Sequence, residues 1–269
     1  MAYIKKISLG VLCAIAIACV LCVYGVGGQI GAYMWNAAVF VLAPMAVLAL
    51  LVQMVILTTM LCKRKRVTWN IIFIAVSIVF ALPITVLVGI SPITYPTNAN
   101  PNDGITVVMP VENAVLFGGK EYKTHAMWPS ECYAYDILAE PHDVGSENLN
   151  DYGVFGADVI SPVFGTVIAM ENSEQDIAPN TDEFISSLGN YIFLKIDETK
   201  TYLILAHLKQ NSIEVSVGDH LDEGEFIGKV GNSGTTSEPH LHVQHQRTNP
   251  MDAVFPTCAE GLPINFKLQ

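Results

Sequence analysis

Three long apolar runs open the chain, and nothing like them occurs later. Ser8 to Gly27, Ala37 to Cys62 and about Thr68 to Ile90 each supply the roughly 20 consecutive apolar residues that a helix needs to cross a hydrocarbon core. The pattern then changes. Ser91 to Gly104 reads S-P-I-T-Y-P-T-N-A-N-P-N-D-G, the composition of turns and extended linker. Beyond it come short runs of apolar or alternating residues, Val163 to Met170, Asn190 to Ile196, Thr201 to His207 and His240 to His245, separated by Gly, Asn, Asp and Pro. Those runs predict strands. Helical periodicity is weak here, with Thr181 to Leu188 the best short candidate. The pattern therefore predicts three N-terminal transmembrane α-helices (residues 1–91), a linker (92–106) and a mainly antiparallel β domain (107–269). A β domain of that length is large enough to bury its own core.

Charge sharpens the division. Residues 1–91 contain no Asp or Glu and only six basic residues: Lys5, Lys6, Lys63, Arg64, Lys65 and Arg66. Residues 92–269 hold all 25 acidic residues against 8 basic ones, a formal charge of −17. A domain so negative repels a phosphate backbone, so nucleic acid is not an expected partner. The segment between the first two apolar runs, about Gly28 to Asn36, carries no charge and reads as a loop. The positive-inside bias then places both basic clusters, and the N-terminus, on the cytoplasmic side. Three crossings deliver the β domain to the periplasm or the external surface. A cleaved signal peptide is the alternative for the first run, but its core is long for one and no small-x-small cleavage site follows. No acid or His lies within the three runs, so a transport path has no support and anchorage in the bilayer is the expectation.

All seven His lie in the β domain. In P-H-L-H-V-Q-H, His240 and His242 are two apart on a predicted strand, which points both imidazoles to one face. His207 ends the strand-like T-Y-L-I-L-A-H-L. The segment T-H-A-M-W-P-S-E-C-Y-A-Y-D-I offers His125 and, eleven residues on, Asp136. Two His and one carboxylate form a common protein ligand set for catalytic zinc, which keeps a position open for water. Each piece alone is weak, because a lone strand His is more often a structural residue than a ligand.

The order Y-A-Y-D-I, S-P-V-F-G-T-V, G-N-Y-I-F-L, L-A-H-L and then V-S-V-G-D-H-L-D-E-G-E-F-I-G-K-V-G-N-S-G-T-T-S-E-P-H-L-H-V resembles the lysostaphin-type (LytM-like) zinc metallopeptidases over roughly Val107 to Phe255. The resemblance implies the duplicated hybrid motif fold, a Zn2+ cofactor and hydrolysis of peptide bonds in peptidoglycan peptides. It places metal ligands at Asp136 and His242, and catalytic proton-handling roles at His207 and His240. The chain departs from the usual pattern at the first ligand. The position four before the Asp is Cys132, and His125 in an earlier loop is the preferred substitute; thiolate also binds zinc, so chemistry alone leaves both open. Some relatives of this type have lost ligands and act as non-catalytic activators, so a wall-binding scaffold is a rival. A peptidase acting on secreted cationic peptides is another, given the domain's charge. A regulatory partner in the membrane is left open.

Several residues have plainer expectations. Cys132 and Cys258 face an oxidising compartment under this topology and could form a disulfide. Gly231 to Thr236 reads as a tight turn before it reads as a groove rim. His142, His220 and His245 have no partner pattern and default to surface or structural roles. Tyr133, Tyr135 and Trp128 are expected to pack rather than to line a groove.

Overall fold

The computed structural model of the chain describes residues 2–90, 93–97, 100–119, 125–253 and 255–267. Parts of the expected linker, 91–92 and 98–99, lie outside the described residues. The chain divides into two compact units, Met1–Asn98 with Met127–Pro129, and Ala99–Ala126 with Ser130–Gln269.

The first unit is helical. Helix α1 (Ala2–Val20) continues through a widened π-type stretch to Val26 and stops at Gly27, whose φ of 67° and ψ of −153° end the run. Helix α2 (Gly28–Ala37) begins at the next residue and passes through a second π-type stretch, Ala38–Leu42, into α3 (Ala43–Cys62). Helix α4 (Thr68–Ala81) tightens into a 3-10 turn over Leu82–Val88. Three helical spans, Tyr3–Val26, Gly28–Cys62 and Thr68–Val88, are long and apolar enough to cross a membrane. Gly28 to Asn36, expected as a loop, is helix instead. The segment is uncharged, and its polar members fit a helix: Asn36 is buried and donates through Nδ2 to the Ala32 carbonyl at 2.9 Å, one turn back. Where α3 and α4 pack, the buried Asn70 donates to the Gln53 side chain, the kind of polar contact that ties helices together where no water competes.

The second unit is mainly antiparallel. A seven-stranded sheet has the order β2-β3-β10-β7-β6-β5-β8, formed by Val115–Gly118, Tyr135–Leu138, Leu241–Gln246, Tyr202–Leu208, Asn190–Ile196, Gly165–Glu171 and His220–Leu221. Every neighbouring pair in it is antiparallel. Strands β4 (Asp158–Ile160) and β9 (Phe226–Lys229) form an antiparallel pair, and β1 (Ile105–Val107) lies parallel to β11 (Ile264–Phe266). The core is the aliphatic layer on one sheet face, with Ile137, Ile192, Leu194, Leu203, Leu205 and Leu241 almost completely buried. The interior strand β7 is buried on both faces from Leu203 onward, which accounts for its nearly unbroken apolar sequence.

Thr181 to Leu188 forms no helix. The buried Glu174 carboxylate accepts from the Ile185 and Ser186 amides at 2.9 and 3.1 Å and from Ser186 Oγ at 2.7 Å. A side chain has taken the backbone donors that helical bonding would use.

Candidate metal centre

Strand pairing builds the site. In the β3–β10 ladder His242 stands directly opposite Asp136, and in the β10–β7 ladder it stands opposite Ala206, the neighbour of His207. His240 lies two residues before His242, so both project to the same side of the sheet. His125 opens a one-turn 3-10 helix, His125–Met127, and reaches Asp136 from outside the ladder. One ligating atom from each of His125, Asp136 and His242 lies within 4.8 Å of the others.

The hydrogen bonds around the ring assign most of the nitrogens. His125 Nδ1 faces the Ala134 carbonyl at 3.4 Å, which leaves Nε2 toward Asp136 Oδ2 at 3.3 Å. His242 Nε2 faces Gln244 Oε1 at 3.4 Å, which leaves Nδ1 toward Asp136 Oδ1 at 3.1 Å. His240 Nδ1 donates to the Glu238 carbonyl at 2.8 Å, and its Nε2 lies 3.5 Å from Asp136 Oδ1. His207 Nδ1 donates to the Ser233 carbonyl at 2.8 Å, and its ring centre is 4.7 Å from that of His240. A carbonyl oxygen can only accept. Each such bond therefore puts a hydrogen on that nitrogen, so that in the neutral imidazole the lone pair is on the other, inward-facing one.

His207 reaches its place through a break in the sheet. Asn190 pairs with Leu208 and Tyr191 with Ala206, so His207 is an extra residue between them, a β-bulge with φ of 62°. Bulges of this kind re-aim a side chain beside a functional site. Its backbone is satisfied off the ladder, the amide by the Leu188 carbonyl at 3.1 Å and the carbonyl by the Gly231 amide at 3.0 Å. The turn after it requires glycine. A Cβ on Gly231 would come within 2.4 Å of Lys209 Cα, and one on Gly234, where φ is 83°, within 2.4 Å of the Gly189 nitrogen. The expected tight turn is thus a close backbone crossing that carries the Ser233 carbonyl to His207.

Electrostatics follow from this crowding. Burial on its own would raise the Asp136 carboxyl, but His240 beside it and hydrogen bonds from His125 and His242 hold it well below the usual carboxylate range. Burial, then His240 and His242, push His207 well below the ordinary imidazole value and favour its neutral form. For His242 burial pulls the other way, yet the bond and charge of Asp136 raise it. The fit to a metal is chemical: one carboxylate and two imidazole nitrogens converge, with every other polar atom of those imidazoles already committed. Zinc favours this mixture of N and O donors.

Cys132 is not among the converging ligand atoms. Its side chain is buried, and burial pushes the thiol well above its ordinary range, which disfavours the thiolate that a metal would need. Of the two residues left open for that position, His125 has a ligand atom in the converging group and Cys132 does not. His245 is buried on the opposite face of β10, where Thr201 Oγ1 meets its Nε2 at 2.7 Å and the Pro263 carbonyl meets its Nδ1 at 3.2 Å. His220 is exposed near Asp197. Tyr133 is buried, and Tyr135 packs edge-on to Phe266 with ring centres 5.2 Å apart.

Two features escaped the sequence. An open cleft of about 250 Å³ beside Asp136 and His240 is lined by Phe117, Leu138, His142, Asp143 and Glu238. His142, expected to have a surface or structural role, therefore lines the cleft, edge-on to Phe117. Glu131 carries a carboxyl that burial raises, with His242 and His125 opposing. Its only sequence signal was its position next to Cys132.

Residues 150–253 match Peptidase family M23, a segment that includes His207, His240 and His242 but begins after His125 and Asp136. No curated protein matches the chain. Among solved structures, a Pseudomonas aeruginosa protein assigned to peptidase M23 is 18% identical over 55% of this chain and 47% of its own, with a TM-score of 0.33. The catalytic domain of the antimicrobial peptidase lysostaphin from Staphylococcus simulans is 20% identical over 48% of this chain and 74% of its own, with a TM-score of 0.32. A zinc-containing peptidase from Vibrio cholerae is 19% identical over 56% of this chain and 38% of its own, with a TM-score of 0.30. The chain spans less than half the length of the first and third of these. The match to Peptidase family M23 thus covers residues 150–253, in a chain whose described residues include three N-terminal helices long and apolar enough to cross a membrane.

Proposed function

We propose that this chain is a membrane-anchored zinc metalloendopeptidase that hydrolyses peptide bonds in peptidoglycan cross-links outside the cytoplasmic membrane. The observation that carries the reading is the convergence of His125, Asp136 and His242 within 4.8 Å, with the imidazoles of His207 and His240 against them. The basic clusters at Lys5–Lys6 and Lys63–Arg66 support a cytoplasmic N-terminus and an external peptidase domain.

His125 through Nε2, His242 through Nδ1 and the Asp136 carboxylate would hold the metal. When bound, zinc supplies a Lewis acid that polarises the scissile carbonyl and makes water easier to deprotonate. The chain supplies the proton handling. His207, kept neutral by burial and by its His neighbours, presents a lone pair at Nε2 because Nδ1 is held on the Ser233 carbonyl; it accepts the proton of the attacking water. His240, held through Nδ1 by the Glu238 carbonyl, has Nε2 as its second nitrogen; carrying a hydrogen on both nitrogens, it donates from Nε2 to the developing oxyanion or the leaving amine and is left neutral. General acid and base groups of this kind contribute roughly a hundred- to ten-thousand-fold each.

The test is digestion of purified cell wall by the full chain in detergent, beside a His240→Ala variant, with zinc content measured on both. Wild type should hold zinc and release peptide fragments, while His240→Ala should hold zinc and release almost none. Zinc without cleavage in the wild type would sink the enzyme assignment in favour of a wall-binding scaffold. Asp143 and Glu238 at the cleft mouth favour one further reading, cleavage of secreted basic peptides, which a panel of such peptides run against wall would separate.

A further inference from the structure

A row of buried amides runs away from the site along β10. Strand alternation puts His242, Gln244 and Gln246 on one face, and their exposures are only 6%, 5% and 2%. His242 Nε2 lies 3.4 Å from Gln244 Oε1, Gln244 Nε2 donates to Gln246 Oε1 at 2.8 Å, and Gln246 Nε2 donates to the Thr248 carbonyl at 2.6 Å. The direction of this series is forced from its far end. The Thr248 carbonyl can only accept, so Gln246 must turn its NH2 toward it and its oxygen toward Gln244. That oxygen can also only accept, so Gln244 must turn its own NH2 toward it and its oxygen toward His242. His242 Nε2 must then carry the hydrogen. The lone pair left for a metal is on Nδ1, the nitrogen 3.1 Å from Asp136 Oδ1.

We infer that the series Gln244, Gln246 and Thr248 selects Nδ1 of His242 as the ligand atom, and that Gln244 is a positioning residue for the metal. The inference rests on the zinc reading above and deepens it. Two buried amide side chains on a strand that otherwise builds an aliphatic core are costly unless satisfied, and each here is satisfied in a way that fixes the next. Gln246 makes no contact with the ligands and acts on them only through Gln244, a separation that can be measured.

The experiment is a zinc titration of the full chain in detergent against a competing chelator, with thermal unfolding of each zinc-free variant alongside. Partners in this outer position typically change metal affinity by 10- to 100-fold when removed. Gln244→Leu should weaken zinc binding by roughly tenfold or more on that scale. Gln244→Glu keeps an acceptor at the same place and should stay within about threefold of wild type, whereas Gln246→Leu should lose roughly threefold because it only polarises its neighbour. The double Leu variant should bind no worse than Gln244→Leu alone, since the series is already cut. A packing role predicts the reverse, with additive losses and the buried Glu as the worst substitution. A folded Gln244→Leu that binds zinc like wild type, or a Gln244→Glu as damaged as Gln244→Leu, would overturn the inference and leave the zinc site standing. Should Gln244→Leu fail to fold, Gln246→Leu and Gln244→Glu decide by the same criteria. A wild-type chain that binds no zinc would overturn both.

Discussion

Asp136 and His242 face each other across one rung of the β3–β10 ladder, whereas His125 comes to the same point from a single 3-10 turn, with Nδ1 facing the Ala134 carbonyl at 3.4 Å. On the strand side the backbone of two adjacent strands sets the ligand positions, and the amides of Gln244 and Gln246 stiffen one of them. On the loop side a ligand is delivered by a short turn whose register no ladder enforces. The difference separates a permanent half of the site from a half that local changes can shift.

The largest effects should come from the strand side. Asp136→Ala and His242→Ala should each remove about a quarter to a third of a zinc-binding free energy of ~10–16 kcal/mol, a loss of roughly a hundred- to ten-thousandfold in affinity; equilibrium dialysis with a chelator buffer reads this directly. His125→Ala should lose less than either, and equal losses on both sides would break the distinction. Next, His207→Ala should keep zinc in the same titration while wall digestion falls by about a hundredfold or more. A smaller effect concerns the other face of β10. Burial depresses His245 to about 4 from 6.5, so the unfolded chain binds the extra proton between those values and stability falls as the pH drops through that window. The loss amounts to about 3 kcal/mol at the acid end. His245→Leu should flatten the dependence of thermal unfolding on pH between about 6.5 and 4; an unchanged slope would remove His245 as its source. The smallest effect belongs to Cys132→Ala, whose zinc affinity should match wild type within about twofold because its thiol stands outside the donor set.

What could be read beforehand follows the same division. The two halves of the chain declared themselves by charge and apolar length, because a bilayer and a water-facing β domain demand unlike compositions. Alternation in P-H-L-H-V-Q-H placed His240 and His242 on one face, since side-chain direction in a strand is a local property. Pairing register is not local. Nothing in the sequence around Asp136 said that it would stand opposite His242, and the family resemblance, not the spacing, supplied that link. The helix over Gly28–Asn36 was missed because an uncharged stretch with Gly and Gln reads equally well as a turn. The loop at Thr181–Leu188 was missed because Glu174, far from it in helical register, captures its amides. His142 could not be seen at the cleft, since only the folded sheet brings its loop beside His240.

The bulge at His207 has a further consequence. A φ of 62° is uncommon for any residue but Gly, although His is among the types that adopt it more readily, so by the criterion of folding alone this position favours Gly, while the chemistry proposed for it requires an imidazole. The domain would thus sacrifice some durability at the point where it gains reactivity, a stability–activity trade-off confined to one residue. A hardier variant that had lost its imidazole there would keep its sheet and the three converging donors of His125, Asp136 and His242 while losing the base proposed at that position.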